Sequence, residues 1–250
     1  WWRATRSPLA LRIVRETAEF MARELRTPEG GFASALDADS VPVSGGSPEE
    51  GAFYVWTPEQ LIDVLGEDLG ARAATWFNVT DAGTFEHGTS TLQRLVDPPE
   101  DQREQFEQAR QVLWDARSSR PHPVRDDKEL AAWYGLAISA LAEAGLLLDV
   151  PDWGEAAIRC ADLLERVHLD DRGRLLRVSR DGRANPDAPG VLEDHANVAE
   201  GLLTLFQCTG QTRWFRVAER VIEAIVRDFA DDDGGFFDTA HDVPRVHALT

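Results

Sequence analysis

Cysteine is scarce in this chain. Cys160 and Cys208 are the only two in 250 residues, and there is no C-x-x-C pair. Each lies in an apolar helical pattern, beside Ile158 and Leu163 or Leu205 and Phe206. That argues against a disulfide framework and a thiolate metal site, and predicts buried free thiols. Positive charge is also short, with 26 Lys and Arg against 44 Asp and Glu, a formal net charge of -18. Such a surface repels phosphate backbones and anionic lipid, so neither nucleic acid nor membrane is expected as a partner. The charge is read as a solubility device of a cytoplasmic protein. No run reads as a bilayer span, and no secretory leader is visible. The chain opens on Trp-Trp without a methionine and is expected to be part of something longer. A Gly-rich phosphate loop, a nucleophile elbow and a dinucleotide fingerprint are all missing, so no cofactor is expected. His87, His122, His168, His241 and His247 show no metal-ligand spacing, and Asp37-Ala38-Asp39-Ser40 lacks the rest of a calcium loop. No metal is expected either.

What the chain does have is a repeat. Glu29-Gly30-Gly31-Phe32 leads to Asp37 and Asp39, and Asp233-Gly234-Gly235-Phe236 leads to Asp238 and Asp242. A weaker copy, Asp171-Arg172-Gly173-Arg174-Leu175, precedes the last by about one helical hairpin plus its loops, so stacked helix pairs are predicted. Apolar periodicity predicts helices over 8–25, 58–77, 99–117, 128–148, 152–167, 194–208 and 212–229. Thr57, Pro58 and Gln60 form a capping-box start for the second. Short strands are predicted at 32–36 and 52–56, pairing across the turn at 41–50, and at 174–179. Helices 128–148 and 194–208 are apolar around most of their girth and should be inner; 152–167 and 212–229 should be outer. Inner-to-outer joins are short, whereas outer-to-inner joins are long and carry the repeat. All long loops should therefore share one face, and a pocket there is the default site. The segment 78–98 fits this plan less well. The whole of 1–250 is read as a single domain.

The residues that could carry chemistry lie on that face. Asp37, Asp39, Asp127 and Asp194 are the candidate acids and bases. Glu50, Tyr54, Trp56, Asp126, Lys128, Trp133, His195 and Phe236 are candidates for holding a substrate. Carboxylates facing one another beside aromatic rings suit sugar chemistry, with one acid, one base or nucleophile, and rings to stack on the sugar. His195, in the first turn of an inner helix, is the best-placed acid–base histidine. Asp127 and Asp194 are equally placed to cap those helices, so a capping role stands beside the catalytic one. Tyr54, Trp56 and Trp133 fit a core as well as a platform.

Ala35-Leu36-Asp37-Ala38-Asp39-Ser40, Glu50-Gly51-Ala52-Phe53-Tyr54-Val55-Trp56, Asp126-Asp127-Lys128, Trp133-Tyr134-Gly135-Leu136, Leu192-Glu193-Asp194-His195-Ala196 and Gly234-Gly235-Phe236-Phe237 occur in that order. This set closely resembles the spermatogenesis-associated, thioredoxin-domain-containing family. The resemblance implies an all-α fold, an (α/α)6 toroid of helical hairpins like six-hairpin glycosidases and N-acylglucosamine 2-epimerases, incomplete in this stretch. It implies a thioredoxin-like domain elsewhere in the longer protein. By analogy of fold it implies a glycoside hydrolase-like or epimerase-like activity on a small-molecule or glycan substrate. The alternative is a non-catalytic module that binds a glycan or a protein and supports that domain. Two positions depart from the family pattern: Tyr134 stands where Asn is usual, and His195 where Tyr is usual.

Overall fold

The computed structural model describes residues 1–243. Its helices are α1 (Trp2–Thr5), α2 (Pro8–Phe20), α3 (Pro58–Leu65), α4 (Glu67–Trp76), α5 (Arg103–Ser118), α6 (Ala131–Leu148), α7 (Pro151–Val167), α8 (Leu192–Thr209) and α9 (Thr212–Asp228). A π-turn, Met21–Leu25, continues α2. All strands are two or three residues long and lie in the loops. The fold is all-α, built of helical hairpins with small strand pairs between them, as expected. The chain divides into two compact units, residues 36–124 and residues 1–35 with 125 onward.

In the larger unit α6 and α8 form one layer. They run the same way, because Ala132 meets Asp194, Gly135 meets Asn197 and Gly201, and Ser139 meets Thr204. The approach is close: a Cβ on Gly135 would fall 2.2 Å from the Asn197 carbonyl oxygen, and one on Gly201 would fall 2.4 Å from that of Gly135. Only glycine leaves room for backbones this near. Helices α7 and α9 cover one side of the layer. On α9 the residues Trp214, Val217, Ala218, Val221 and Ala224 recur at helical spacing and are all buried, which is the pattern that seats a helix on a core. A buried side chain of valine size or larger contributes about 1.5–3 kcal/mol.

Helical spacing also fixes the other side of the layer. On α6 the residues next round from the Ala132–Gly135–Ser139 seam are Trp133, Leu136 and Ala140; on α8 those next to the Asn197–Gly201–Thr204 seam are Glu193, Ala196 and Glu200. All six are exposed. The two helices are parallel and these residues lie on opposite rotations from the shared seam, so they face the same way, away from α7 and α9. Both core helices are thus less enclosed than their composition suggests. By length and composition α6 is apolar enough to cross a membrane, contrary to the expectation that no run is, but half of it is buried in the chain's own core.

The repeat becomes a recurring local structure. Antiparallel bridges join Arg26 to Phe32, Leu169 to Leu175 and Ala230 to Phe236. Each loop has the same three backbone bonds: Thr27 N to Gly31 O, Gly30 N to Thr27 O and Ala33 N to Leu25 O in the first; Asp170 to Arg174, Gly173 to Asp170 and Leu176 to His168 in the second; Asp231 to Gly235, Gly234 to Asp231 and Phe237 to Phe229 in the third. The shared glycine has φ of 103°, 83° and 94° at Gly30, Gly173 and Gly234, the left-handed region that favours glycine.

The unit of residues 36–124 packs α3, α4 and α5 around Trp56, Leu61, Phe77, Phe106 and Leu113. Thr57 and Gln60 make the capping box that opens α3. Asp39–Ser40 pairs with Glu49–Glu50. Val55–Trp56 pairs with Ser90–Thr91 rather than with residues near 32, which gives the poorly fitting 78–98 segment its place. Ser40 Oγ accepts from Phe53 N–H at 2.8 Å, tying the Asp-Ala-Asp-Ser motif to the Phe-Tyr-Val-Trp motif.

Candidate functional site

The N-terminal ends of α6 and α8 gather most of the candidate residues of the larger unit. Residues 125–130 are extended, with Glu129–Leu130 paired to Val178–Ser179, so α6 begins at Ala131 and not at 128. Asp127 is therefore not its cap. It pairs with Arg125 Nε at 2.6 Å, while Asp126 pairs with Lys128 Nζ at 3.0 Å. That contact holds the Asp126 carboxyl below its usual range. Arg125 also donates to the carbonyls of Glu24 and Arg26, anchoring this stretch to the first Gly-Gly-Phe loop. The third such loop is fixed to the same end, through Leu192 N–H donating to Asp238 O.

Asp194 is fully buried. One oxygen accepts from Val191 N–H at 2.9 Å and from Arg177 at 3.0 Å; the other accepts from Ala132 N–H at 3.1 Å. Asp194 is not the N-cap, which is Val191; from the third position of α8 it accepts the N-cap N–H and staples the start of α6 to the start of α8. His195 is also fully buried. Its Nδ1 lies 2.8 Å from Val191 O, which only accepts, so Nδ1 carries the proton. Its Nε2 accepts from Leu175 N–H at 3.1 Å. Both nitrogens are committed and the ring is held neutral; burial draws its pKa below the ordinary value. Trp133, 47% exposed, and Phe236, 53% exposed, are the accessible aromatics of this unit's candidate set.

The remaining candidates belong to residues 36–124. Asp37, Asp39 and Glu50 are exposed, and Asp39 sits directly opposite Glu50 across the strand pair. Asp37 accepts from Asp39 N–H at 3.2 Å. Glu50 borders a cavity of about 210 Å³ with Phe85 and His87. Tyr54 is half-buried, edge-on to Phe53. Trp56 is 2% exposed beneath the Arg120 guanidinium, 3.9 Å from its ring centre, and is a core residue. Burial lowers the Arg120 pKa, and neighbouring Arg117 adds to this.

One polar cluster has no counterpart in the sequence reading. Glu129 is 1% exposed; it accepts from Thr27 at 2.7 Å and from Ser179 at 2.9 Å. Ser179 Oγ lies 2.9 Å from His168 Nε2, and His168 Nδ1 donates to Leu176 O at 2.7 Å. Burial draws His168 below its ordinary pKa. The Tyr134 hydroxyl is buried beside Glu129, and both burial and that charge keep it protonated. It makes no hydrogen bond of good geometry among the described residues. A Cβ on Gly31 would fall 1.7 Å from Tyr134 Oη, so the second glycine of the first loop makes room for this ring. A glutamate just before an apolar helix gives no sequence signal of such a role. Among the described residues no cluster of three or more His, Cys, Asp or Glu is arranged to hold a metal; His247 lies outside them.

No family model matches the chain. It is similar to spermatogenesis-associated protein 20 of Homo sapiens, 31% identical, over 89% of this chain and 33% of that protein. It is similar to the Mus musculus protein of the same name at 30%, with the same coverage, and to an uncharacterized Caenorhabditis elegans protein at 27%, over 90% and 35%. The chain thus spans about a third of the length of the curated relatives it matches. Among solved structures it is similar to cellobiose 2-epimerase from Spirochaeta thermophila, 15% identical, over 93% of this chain and 60% of that one, TM-score 0.40. It is similar to unsaturated glucuronyl hydrolase from Bacillus sp. GL1 at 15%, over 94% and 62%, TM-score 0.40. At these scores the likeness carries no argument about chemistry.

Proposed function

We propose that this chain is a carbohydrate-binding domain whose sugar-contacting surface is the open side of the α6–α8 layer. The observation that carries the reading is Trp133, an indole 47% exposed on the first turn of a core helix, with Leu136 beside it and Glu193 and Glu200 on the neighbouring helix. A flat apolar ring next to carboxylates suits a sugar, which offers an apolar ring face and a rim of hydroxyl donors. Asp126, Asp127, Lys128 and the loop bearing Phe236 edge the same end. Binding without turnover is favoured because Asp126 and Asp127 are ion-paired and Asp194 is saturated and sealed. In the longer protein the domain supports a thioredoxin-like domain, in the cytoplasm.

A hydrolase or epimerase is the second reading. Its support is the exposure of Asp37, Asp39 and Glu200, none of them ion-paired among the described residues. His195 does not serve epimerisation, since neither ring nitrogen is free.

The test is titration of the chain with a panel of mono- and oligosaccharides, read by tryptophan fluorescence. At least one sugar is expected to bind, and Trp133→Ala is expected to weaken it at least about tenfold with an unchanged melting curve. Failure of every sugar, or equal affinity in the variant, overturns the binding surface. Turnover that Asp37→Asn abolishes without a melting shift favours the enzymatic reading instead.

A further inference from the structure

A second cleft opens on the opposite side of α6. While Trp133 faces the open wall, Leu141 faces α7, and there it floors a cavity of about 540 Å³ together with Phe32 and Trp153. Both aromatic residues are 7% exposed, so the floor is apolar and well packed. The rim holds Arg26, just past the π-turn, and Arg159, in the third turn of α7. These arginines come from segments far apart in sequence and converge on one cleft of a chain whose net charge is -18. The Arg26 side chain has no acid partner among the described residues. Arg159 holds Glu155 on its own helix through Nη1 at 3.3 Å, but its Nε is buried without a hydrogen-bond partner. A buried N–H without an acceptor is costly to keep, and turning the part-exposed guanidinium toward a ligand oxygen would relieve that cost.

The rim is not uniformly basic. Arg23, which pairs with Glu24, lies there too, as do Glu19 and Asp152. Neither of those acids pairs with Arg26 or Arg159 among the described residues, and Asp152 stands in the first turn of α7, where a carboxylate is favoured by the helix dipole. Among the described residues Arg26 is left without an acid partner and Arg159 has only Glu155, while Glu19 and Asp152 repel a ligand whose charge lies elsewhere than beside the two guanidinium groups.

We propose that this cleft binds a small organic anion, with a carboxylate or phosphate held between Arg26 and Arg159 and a compact body, of about the size of one sugar ring, lying on Trp153 and Phe32. Guanidinium groups offer paired donors that match either oxyanion, and a cavity of this volume falls in the range of small-molecule sites. The site is separate from the wall that bears Trp133 and does not depend on what binds there.

The experiment is calorimetric titration of the 250-residue chain with glucuronate, glucose 6-phosphate, glucose and inorganic phosphate. Glucuronate or glucose 6-phosphate is expected to bind, glucose at least about tenfold more weakly, and the difference is expected to shrink as salt is added. Preference for glucuronate or for glucose 6-phosphate identifies the oxyanion; inorganic phosphate binding as tightly as either shows that the floor plays no part and overturns the proposal in this form. Arg26→Ala and Arg159→Lys, the second keeping charge but losing Nε, are each expected to cost about tenfold with melting curves unchanged. Trp133→Ala reports on the wall alone and should leave this binding as it is. No binding by either anion, binding equal to that of glucose, or binding indifferent to both arginine variants sinks the idea.

Discussion

Asp39 and Glu50 face each other across a strand pair, both open to water. Asp194 also stands at the edge of a long loop, yet it has no exposed surface and accepts hydrogen bonds from two backbone N–H groups and an arginine. The tryptophans reverse this: Trp56, in the unit with the exposed acids, is sealed in a core, whereas Trp133, in the unit with the buried acid, stands out from its helix. The difference follows from what lies above each residue. In residues 36–124 Asp39 and Glu50 lie on a two-residue strand pair, both exposed, with Glu50 bordering a small cavity. In the larger unit three Gly-Gly-Phe-like loops and the 125–130 strand close over the starts of two parallel helices, and the buried acids beneath them, Glu129 and Asp194, are each held by hydrogen bonds.

The comparison can be broken by substitution. The largest effect is expected at Glu129, where Ala would leave the Thr27 and Ser179 hydroxyls and a cavity buried together; about 4 kcal/mol of stability should be lost, measured by urea unfolding, with Gln recovering part of it. Asp194→Asn should cost about 2 kcal/mol in the same assay by removing the charge that Arg177 and two N–H groups address, whereas Asp37→Asn should leave the midpoint where it is. An equal response at these two positions would erase the contrast.

Acid should sharpen it. His168 and His195 are both held below their ordinary pKa by burial. Below about pH 6.5 the unfolded chain takes up protons that the folded chain refuses. Stability is therefore full above that pH and falls beneath it, by up to about 1.4 kcal/mol per pH unit for each histidine, and His195→Gln should flatten the urea midpoint between pH 7.5 and 5.5. The smallest effect belongs to the other unit: Thr57→Ala removes a capping box and should cost about 1 kcal/mol, independent of pH over the same range.

Much of the helical plan was legible because it rests on local signals. The repeated glycines marked the three loops, and Thr57, Pro58 and Gln60 marked the start of α3. The alternation of short and long joins correctly ordered α6 to α9. What escaped was decided by partners distant in sequence. Asp126-Asp127-Lys128 reads as a helix start, but Val178 and Ser179 draw the residues after it into a strand. Glu129 reads as an ordinary surface residue until Thr27, 102 positions away, closes over it. Trp56 and Trp133 look alike in sequence, and only the packing of α3 to α5 separates them.

The three loops are bolted in by an identical set of backbone bonds, whatever side chains they carry between. Residues 27–32, 170–175 and 231–236 therefore share one backbone seat, while the position that must be glycine beneath Tyr134 in the first copy is free to be Arg174 in the second.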